Sequence, residues 1–273
     1  MTTDATRASS SAVPSARSRP ALEIAVTSAA GAVTARDGGA DRVELCSALE
    51  LGGVTPSQGL AEAAVATGVP VHALVRCRPG GFTYDADELD VMVRETRALV
   101  RSGVAGVVVG ALREDGSLDV DAVRWFVDAA LDAAGPARVP PLEVTVHRAV
   151  DRAADPVAAV AALAGLGVTR VLTSGGASTV GAGLASGVLP RMIEVAGDVQ
   201  VMAGGGVQLG DVPALVVAGV DAVHLSAKRA QAVRASSSRS ETTVSLGTEA
   251  TTDSWFGTDP ELVRAARHAL DRA

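Results

Sequence analysis

The sequence predicts a single (β/α)8 barrel of the TIM type, and three observations predict it. From residue 21 onward, eight short β-like runs alternate with Ala-rich helical stretches. Several runs follow a glycine by one to three residues, as in Gly38-Gly39-Ala40-Asp41-Arg42, Gly103-Val104, Gly167-Val168-Thr169-Arg170 and Gly219-Val220-Asp221. Glycine is the preferred residue just past a helix end, where the backbone turns left-handed. Within the runs, polar and apolar residues alternate, which gives each strand one polar and one apolar face. Eight strand–helix units in about 250 residues is the size of one such barrel. The rival, an open doubly wound sheet, would carry fewer units and a first glycine-rich dinucleotide turn, which is absent from the sequence.

The strands are expected at Leu22–Thr27, Arg42–Cys46, Val69–Arg76, Ala105–Gly110, Leu142–His147, Arg170–Thr173, Val199–Ala203 and Ala222–Leu225. Crossover helices are expected at Ala29–Gly38, Asp87–Ser102, Val120–Ala134, Pro156–Gly167 and Val212–Gly219. Residues 1–20, rich in Ser, Ala and Arg and lacking an apolar segment, read as a disordered leader. Residues 229–258, rich in Ser and Thr, read as a long, partly mobile loop after the eighth strand. A last helix over 259–270 opens on Asp259-Pro260-Glu261, a cap followed by a first-turn proline and acid. One domain is expected over residues 21–273.

Composition narrows the function. Hydrophobic residues make up 48% of the chain but aromatics only 2%, so Ala, Val and Leu must build a layered helix–sheet core. A net charge of −7 argues against nucleic acid or an anionic membrane as partner. Two cysteines, Cys46 and Cys77, are too few for a disulfide framework and fit a reducing compartment, so the cytoplasm is the expected location. A homo-oligomer is expected only by analogy with other barrels.

Parity then sorts the side chains that face the barrel interior. The inner set comprises Glu23; Arg42, Glu44 and Cys46; His72 and Arg76; Glu143, Thr145 and His147; Gln200 and Met202; His224 and Ser226. The alternate positions Val43, Leu45, Val71, Val75, Val144, Val146, Val201 and Val223 should face the helices. Glu23, Arg42 and His72 come early in their strands and read as a paired network in the lower barrel, because buried charges need partners. Glu44, Arg76 and His147 come at the C-terminal ends, where barrel active sites form, and read as base, anion clamp and acid.

Small-residue turns follow the last three strands: Thr173-Ser174-Gly175-Gly176, Ala203-Gly204-Gly205-Gly206 and Ser226-Ala227-Lys228. Backbone N–H groups of Ser174, Gly175, Gly176, Gly204 and Gly205 are the candidate cradle for an anion. The available soft donors are Cys46 and Cys77, with Met202 and the imidazoles of His147 or His224, and soft sulfur ligands select Cu(I). No CxxC or HxxxH element is present, and Cys77 has the opposite parity to Arg76. His268, on the last helix, reads as a solvated surface residue.

Several of these segments together resemble one family. Leu22-Glu-Ile, Gly38-Gly-Ala-Asp-Arg-Val-Glu-Leu-Cys46, Leu51-Gly-Gly-Val-Thr-Pro56, Val146-His-Arg-Ala149, Leu172-Thr-Ser-Gly-Gly176 and Val201-Met-Ala-Gly-Gly-Gly-Val207 are similar, in order, to the CutC family. That family is named for copper homeostasis and folds as a TIM-type barrel. The resemblance implies shared pocket residues at Glu23, Glu44, Cys46, Arg76, Arg78 and His147. Two departures stand out: Ala25 occupies a position where many relatives carry a cysteine, and Arg76-Cys-Arg-Pro-Gly-Gly81 replaces the usual Arg-Pro-Arg-Gly-Gly. Two functional expectations follow. One is copper homeostasis, with Cu(I) bound through Cys46 and neighbours. The other is a lyase- or isomerase-type enzyme that uses acid–base chemistry on a small anionic substrate.

Overall fold

A computed structural model describes residues 19–232 and 254–273. Eight strands close into a barrel in sequence order, every neighbouring pair parallel. They are β1 Ala21–Val26, β2 Arg42–Leu45, β3 Val71–Leu74, β4 Gly106–Val109, β5 Glu143–Val146, β6 Arg170–Thr173, β7 Gln200–Ala203 and β8 Ala222–Leu225. Between them run α1 Ala29–Asp37, α2 Gln58–Val65, α3 Ala86–Arg101, α4 Val120–Ala134, α5 Pro156–Ala161, α6 Val180–Ala185, α7 Val188–Val195 and α8 Val212–Ala218. The architecture is the (β/α)8 barrel. Among the described residues, no helix is long and apolar enough to cross a membrane.

The strand pattern and the helix pattern differ in how well local sequence specifies them. Each expected strand forms, with ends trimmed by the loops. Three helices, α2, α6 and α7, have no counterpart in the sequence reading, and α5 stops at Ala161, short of Gly167. Helix α6 carries Gly181 and Gly183, poor helix formers. A Cβ at Gly183 would lie 1.9 Å from the Ser174 carbonyl oxygen, so close packing against the turn after β6, not propensity, dictates this residue. Caps do the rest. Asp85 and Glu88 form a reciprocal capping box on α3, and Thr179 caps α6.

Alternation along the strands divides the core in two. Val43, Leu45, Val71, Val75, Val144, Val146, Val201 and Val223 all belong to the large cluster between sheet and helices. Inside the barrel, two small apolar plugs, Cys46–Leu74–Val108 and Leu172–Met202–Ala222, leave the remaining inner positions to polar groups. One-residue slippage of any strand would exchange these two environments, so burial fixes the register.

The segment 229–258 departs from a plain loop at both ends. Strands β9 Lys228–Ala232 and β10 Ser254–Thr258 pair antiparallel beyond β8, and residues 233–253 lie outside the described residues. The ammonium of Lys228 stands 4.3 Å from the centroid of the Phe256 ring across this ribbon. Helix α9, Pro260–Asp271, follows, with the Asp259 side chain accepting from the Glu261 N–H at 2.9 Å. Of the leader, only Arg19 and Pro20 are described, and Arg19 pairs with Asp271 at 2.6 Å.

Candidate active site

The lower barrel holds a layer of paired, largely buried charges, with Glu143 part-exposed. Glu23, fully buried, accepts from Arg42 Nε through one oxygen and meets His224 Nδ1 at 2.8 Å through the other. Burial opposes its ionisation, but the His224 hydrogen bond and the Arg42 charge outweigh that and hold its carboxyl far below the usual range. Across the barrel, Glu143 Oε2 meets Arg170 at 2.9 Å and His72 Nε2 at 3.4 Å, and Arg170 also donates to Gln200 Oε1 at 2.8 Å. Sequence alone did not mark Arg170 as inward, although it begins β6 in register with Gln200.

Above this floor the C-terminal strand ends open into a cavity of about 560 Å³. Glu44, Arg76 and His147 all line it, each more than nine-tenths buried. Each keeps one buried polar atom with no hydrogen-bond partner: Glu44 Oε2, Arg76 Nε and His147 Nε2. Such atoms are costly unless something completes them.

The three differ in how they are held. The Arg76 guanidinium donates to the carbonyls of Gly53 at 3.0 Å and Gly80 at 2.8 Å and lies 5.0 Å from the Phe82 ring centroid. The Glu44 carboxyl accepts no hydrogen bond from protein among the described residues, and burial pushes it up to about 7, with His224 opposing the rise and the Glu23 charge adding to it. His147 Nδ1 accepts from the Ala149 N–H at 3.2 Å, which places the proton of the neutral ring on Nε2. Burial, then the Arg76 charge, pushes this imidazole down to about 3. His147 is therefore a neutral hydrogen-bond donor near pH 7, not the proton-delivering acid that its position alone implied. Gly110 makes room for it, since a Cβ there would lie 2.7 Å from the ring.

The turn after β6 receives an anion from within the protein. Asp151 accepts from the N–H groups of Ser174 at 2.9 Å and Gly176 at 3.0 Å, and from the hydroxyls of Ser174 and Thr173. The Gly175 N–H goes to Thr173 Oγ1 at 2.9 Å. The donors of Ser174, Gly175 and Gly176 are thus spent on the protein. Gly204 serves packing: its N–H bonds the Thr173 carbonyl, and a Cβ would lie 2.5 Å from Leu172 Cδ1. Gly205 and Gly206 do line the cavity, and the Arg148 guanidinium lies directly over Gly205, 2.6 Å from where a Cβ would stand. Arg148 is tied to Asp151 at 2.8 Å and Ser174 at 2.7 Å. Neither Arg148 nor Asp151 was singled out from sequence, although both sit just after His147. Arg78 is directed away from the cavity: it pairs with Glu88 and donates to the Thr83 carbonyl at 2.9 Å.

The thiols do not meet. Cys46 packs inside the barrel against Leu74 and Val108, while Cys77 packs with the outer core. Burial, followed by the Glu44 and Glu50 charges, pushes the Cys46 thiol well above its ordinary value, so it is protonated. The two thiols stand apart, one inside the barrel and one in the outer core. Among the described residues, the carboxylates and imidazole that do converge are Glu23, Glu44 and His224, with one donor atom from each within 4.8 Å of the others.

Comparison with known proteins agrees with this barrel architecture. Residues 21–229 match the CutC family. A family protein CutC of Agrobacterium fabrum is 43% identical over 196 residues, covering 71% of this chain and 74% of the relative. One from Enterobacter sp. is 36% identical over 255 residues, covering 92% of this chain and 98% of the relative. Among solved structures, a CutC protein of Streptococcus agalactiae, named for copper homeostasis, superposes with a TM-score of 0.65 at 25% identity, over 76% of this chain and 98% of that one. A 2,3-dimethylmalate lyase shares only the fold, with a TM-score of 0.53 at 16% identity over 77% of each chain. The family match spans every barrel strand and all of Glu23, Glu44, Cys46, Arg76, Arg78 and His147, and the chain belongs to the CutC family.

Proposed function

We propose that this protein binds a small organic anion at the C-terminal mouth of the barrel and moves a proton on it, in a lyase- or isomerase-type reaction. The observation that supports this reading is the convergence of three unpartnered buried polar atoms, Glu44 Oε2, Arg76 Nε and His147 Nε2, on residues lining one cavity. Arg76, Arg148 and Lys228 give the cavity wall its positive charge. Glu44 is the base: a carboxyl poised near 7 is basic enough to take a proton and is still ionised in part at neutral pH. Arg76 and the neutral His147 donate hydrogen bonds to the oxygen on which charge develops, from positions fixed before the substrate arrives. The cytoplasm is the compartment that two free thiols favour.

Thermal unfolding in a panel of inorganic phosphate, sulfate and small mono- and dicarboxylates tests this reading. At about a hundredfold excess over Kd, a bound anion stabilises the fold by roughly 2.7 kcal/mol. The expected result is a rise in Tm with one anion class, reduced in Arg148→Met. A panel that leaves Tm unmoved at millimolar concentration counts against the reading.

Copper homeostasis is the second reading, supported by the name its relatives carry. An anaerobic Cu(I) competition titration against a chromophoric chelator, on wild type and Cys46→Ala, separates the two. The separated thiols lead us to expect weak binding that the substitution leaves unchanged. Tight stoichiometric binding lost in Cys46→Ala would transfer the function to copper.

A further inference from the structure

An acid must return the proton that Glu44 removes, and His147 is not built for it. We infer that His224, oriented by Glu23, is that acid, so that Glu44 and His224 work as a proton-donor and proton-acceptor pair across the cavity floor. The inference rests on the proposed acid–base function and deepens it.

The barrel register brings the pair together. Glu23 lies opposite His224 on β8, and Ala25, two residues on, lies opposite Glu44 on β2. Ala25 also lines the cavity and is too small to separate the two functional groups. One donor atom from each of Glu23, Glu44 and His224 lies within 4.8 Å of the others. His224 Nδ1 stands 2.8 Å from Glu23 Oε1, and Arg42 locks the second Glu23 oxygen. Glu23 therefore holds a proton on Nδ1 and fixes the ring plane, which leaves Nε2 as the atom that exchanges. The side chain is 13% exposed, and it lines the cavity beside Glu44. Glu23 is a positioning residue and His224 a catalytic one.

The charges around the ring favour the imidazolium. Glu23 from β1 and Glu44 from β2 face it as anions, Arg42 from β2 as a cation, with His72 from β3 near Glu23. Arg76, His147, Arg148 and Lys228 stand around the same cavity. Burial opposes the charged ring, but the Glu23 hydrogen bond and the Glu44 and Glu23 charges outweigh it and raise the imidazole above its ordinary value. In the reactive form of the pair, Glu44 is a carboxylate and His224 an imidazolium. An oxygen of Glu44 takes a proton from one substrate atom while His224 Nε2–H gives its proton to another, leaving a carboxylic acid and a neutral imidazole with Nδ1–H intact. Return of the proton from Glu44 to His224 Nε2 restores the pair, and the net change is one proton moved within the substrate.

The test needs no substrate. Long-range 1H–15N correlation spectra of the 15N-labelled full chain, from about pH 5 to about pH 9, report tautomer and ionisation of each ring. The expected result is a His224 ring with Nδ1 protonated throughout and Nε2 titrating above the ordinary imidazole value. Glu44→Gln should lower that midpoint, and Glu23→Gln should lower it and mix the tautomers. Should Glu23→Gln fail to fold, Glu44→Gln alone decides. A His224 that stays neutral through this range, or a midpoint indifferent to Glu44→Gln, overturns the inference. Failure here with an anion-dependent rise in Tm would remove His224 and leave the anion reading standing. A positive titration with no anion effect on Tm would reduce the pair to a buried ion network and overturn both.

Discussion

Replacing Asp151 by alanine is expected to lower stability more than removal of any group that lines the cavity. Asp151 is 4% exposed and takes up the N–H groups of Ser174 and Gly176, the hydroxyls of Ser174 and Thr173 and the guanidinium of Arg148. Alanine removes the carboxylate that the Ser174 N–H and the Thr173 hydroxyl bond, while Arg148 keeps Ser174 Oγ and the Ala177 carbonyl as acceptors. A buried donor left without an acceptor typically costs about 1–3 kcal/mol, so the Ser174 N–H and the Thr173 hydroxyl together cost about 3 kcal/mol, whereas the part-exposed Arg148 is hydrated. For a chain of this size each kcal/mol moves Tm by about 2–4 °C, so a fall of roughly 10 °C is expected. Calorimetry of Asp151→Ala with and without added acetate checks the cause. Acetate supplies the missing carboxylate, and partial recovery of Tm in the variant, with none in wild type, would identify the turn as an anion site that the protein fills itself. A variant as stable as wild type would mean that water satisfies these donors, and the β6 turn would return as a candidate site for external anions.

What local sequence could reveal here was parity, and what it could not reveal was partnership. Arg42, Glu44 and Cys46 alternate with Val43 and Leu45, and because a strand's side chains alternate with period 2, this is enough to place the first three inside a barrel. Cys77 has the opposite parity to Arg76 for the same reason, and the two thiols fall on opposite sides of the barrel wall. Asp151 gave no such signal. It lies in a short helical turn after His147, where an acid looks like ordinary loop polarity, and only the pairing of β5 with β6 sets it against the turn after β6. His147 was visible as an imidazole at a strand end, but its role depends on Arg76, contributed from after β3, and on burial that no local pattern encodes. The β9–β10 ribbon was missed because Lys228–Ala232 has little strand character and its partner lies far along the chain.

Glu44→Gln is expected to make the protein more stable, by an amount that grows as pH rises from about 4.5 and levels off above about 7. The Glu44 carboxyl titrates at about 7 in the fold against an ordinary value of 4.5. Between those values the native state holds a proton that the unfolded state has released, so stability falls as pH rises through this window. At 1.36 kcal/mol per pKa unit, the carboxylate costs the fold about 3 kcal/mol once pH exceeds 7. Glutamine keeps the shape and cannot ionise. Chemical denaturation at about pH 4 and about pH 8.5 should therefore show near-equal stabilities at the first and an advantage of about 3 kcal/mol for the variant at the second. His224, whose folded value is raised, loses its stabilising contribution in the same upward direction of pH; removing the Glu44 charge lowers that value and flattens this part of the profile as well. A variant less stable than wild type at about pH 8.5 would mean that Glu44 serves the fold through its charge. The expected sign has the opposite meaning. A carboxylate kept where the empty fold disfavours its ionised form is stability given up for reactivity, and such groups concentrate at sites of proton transfer.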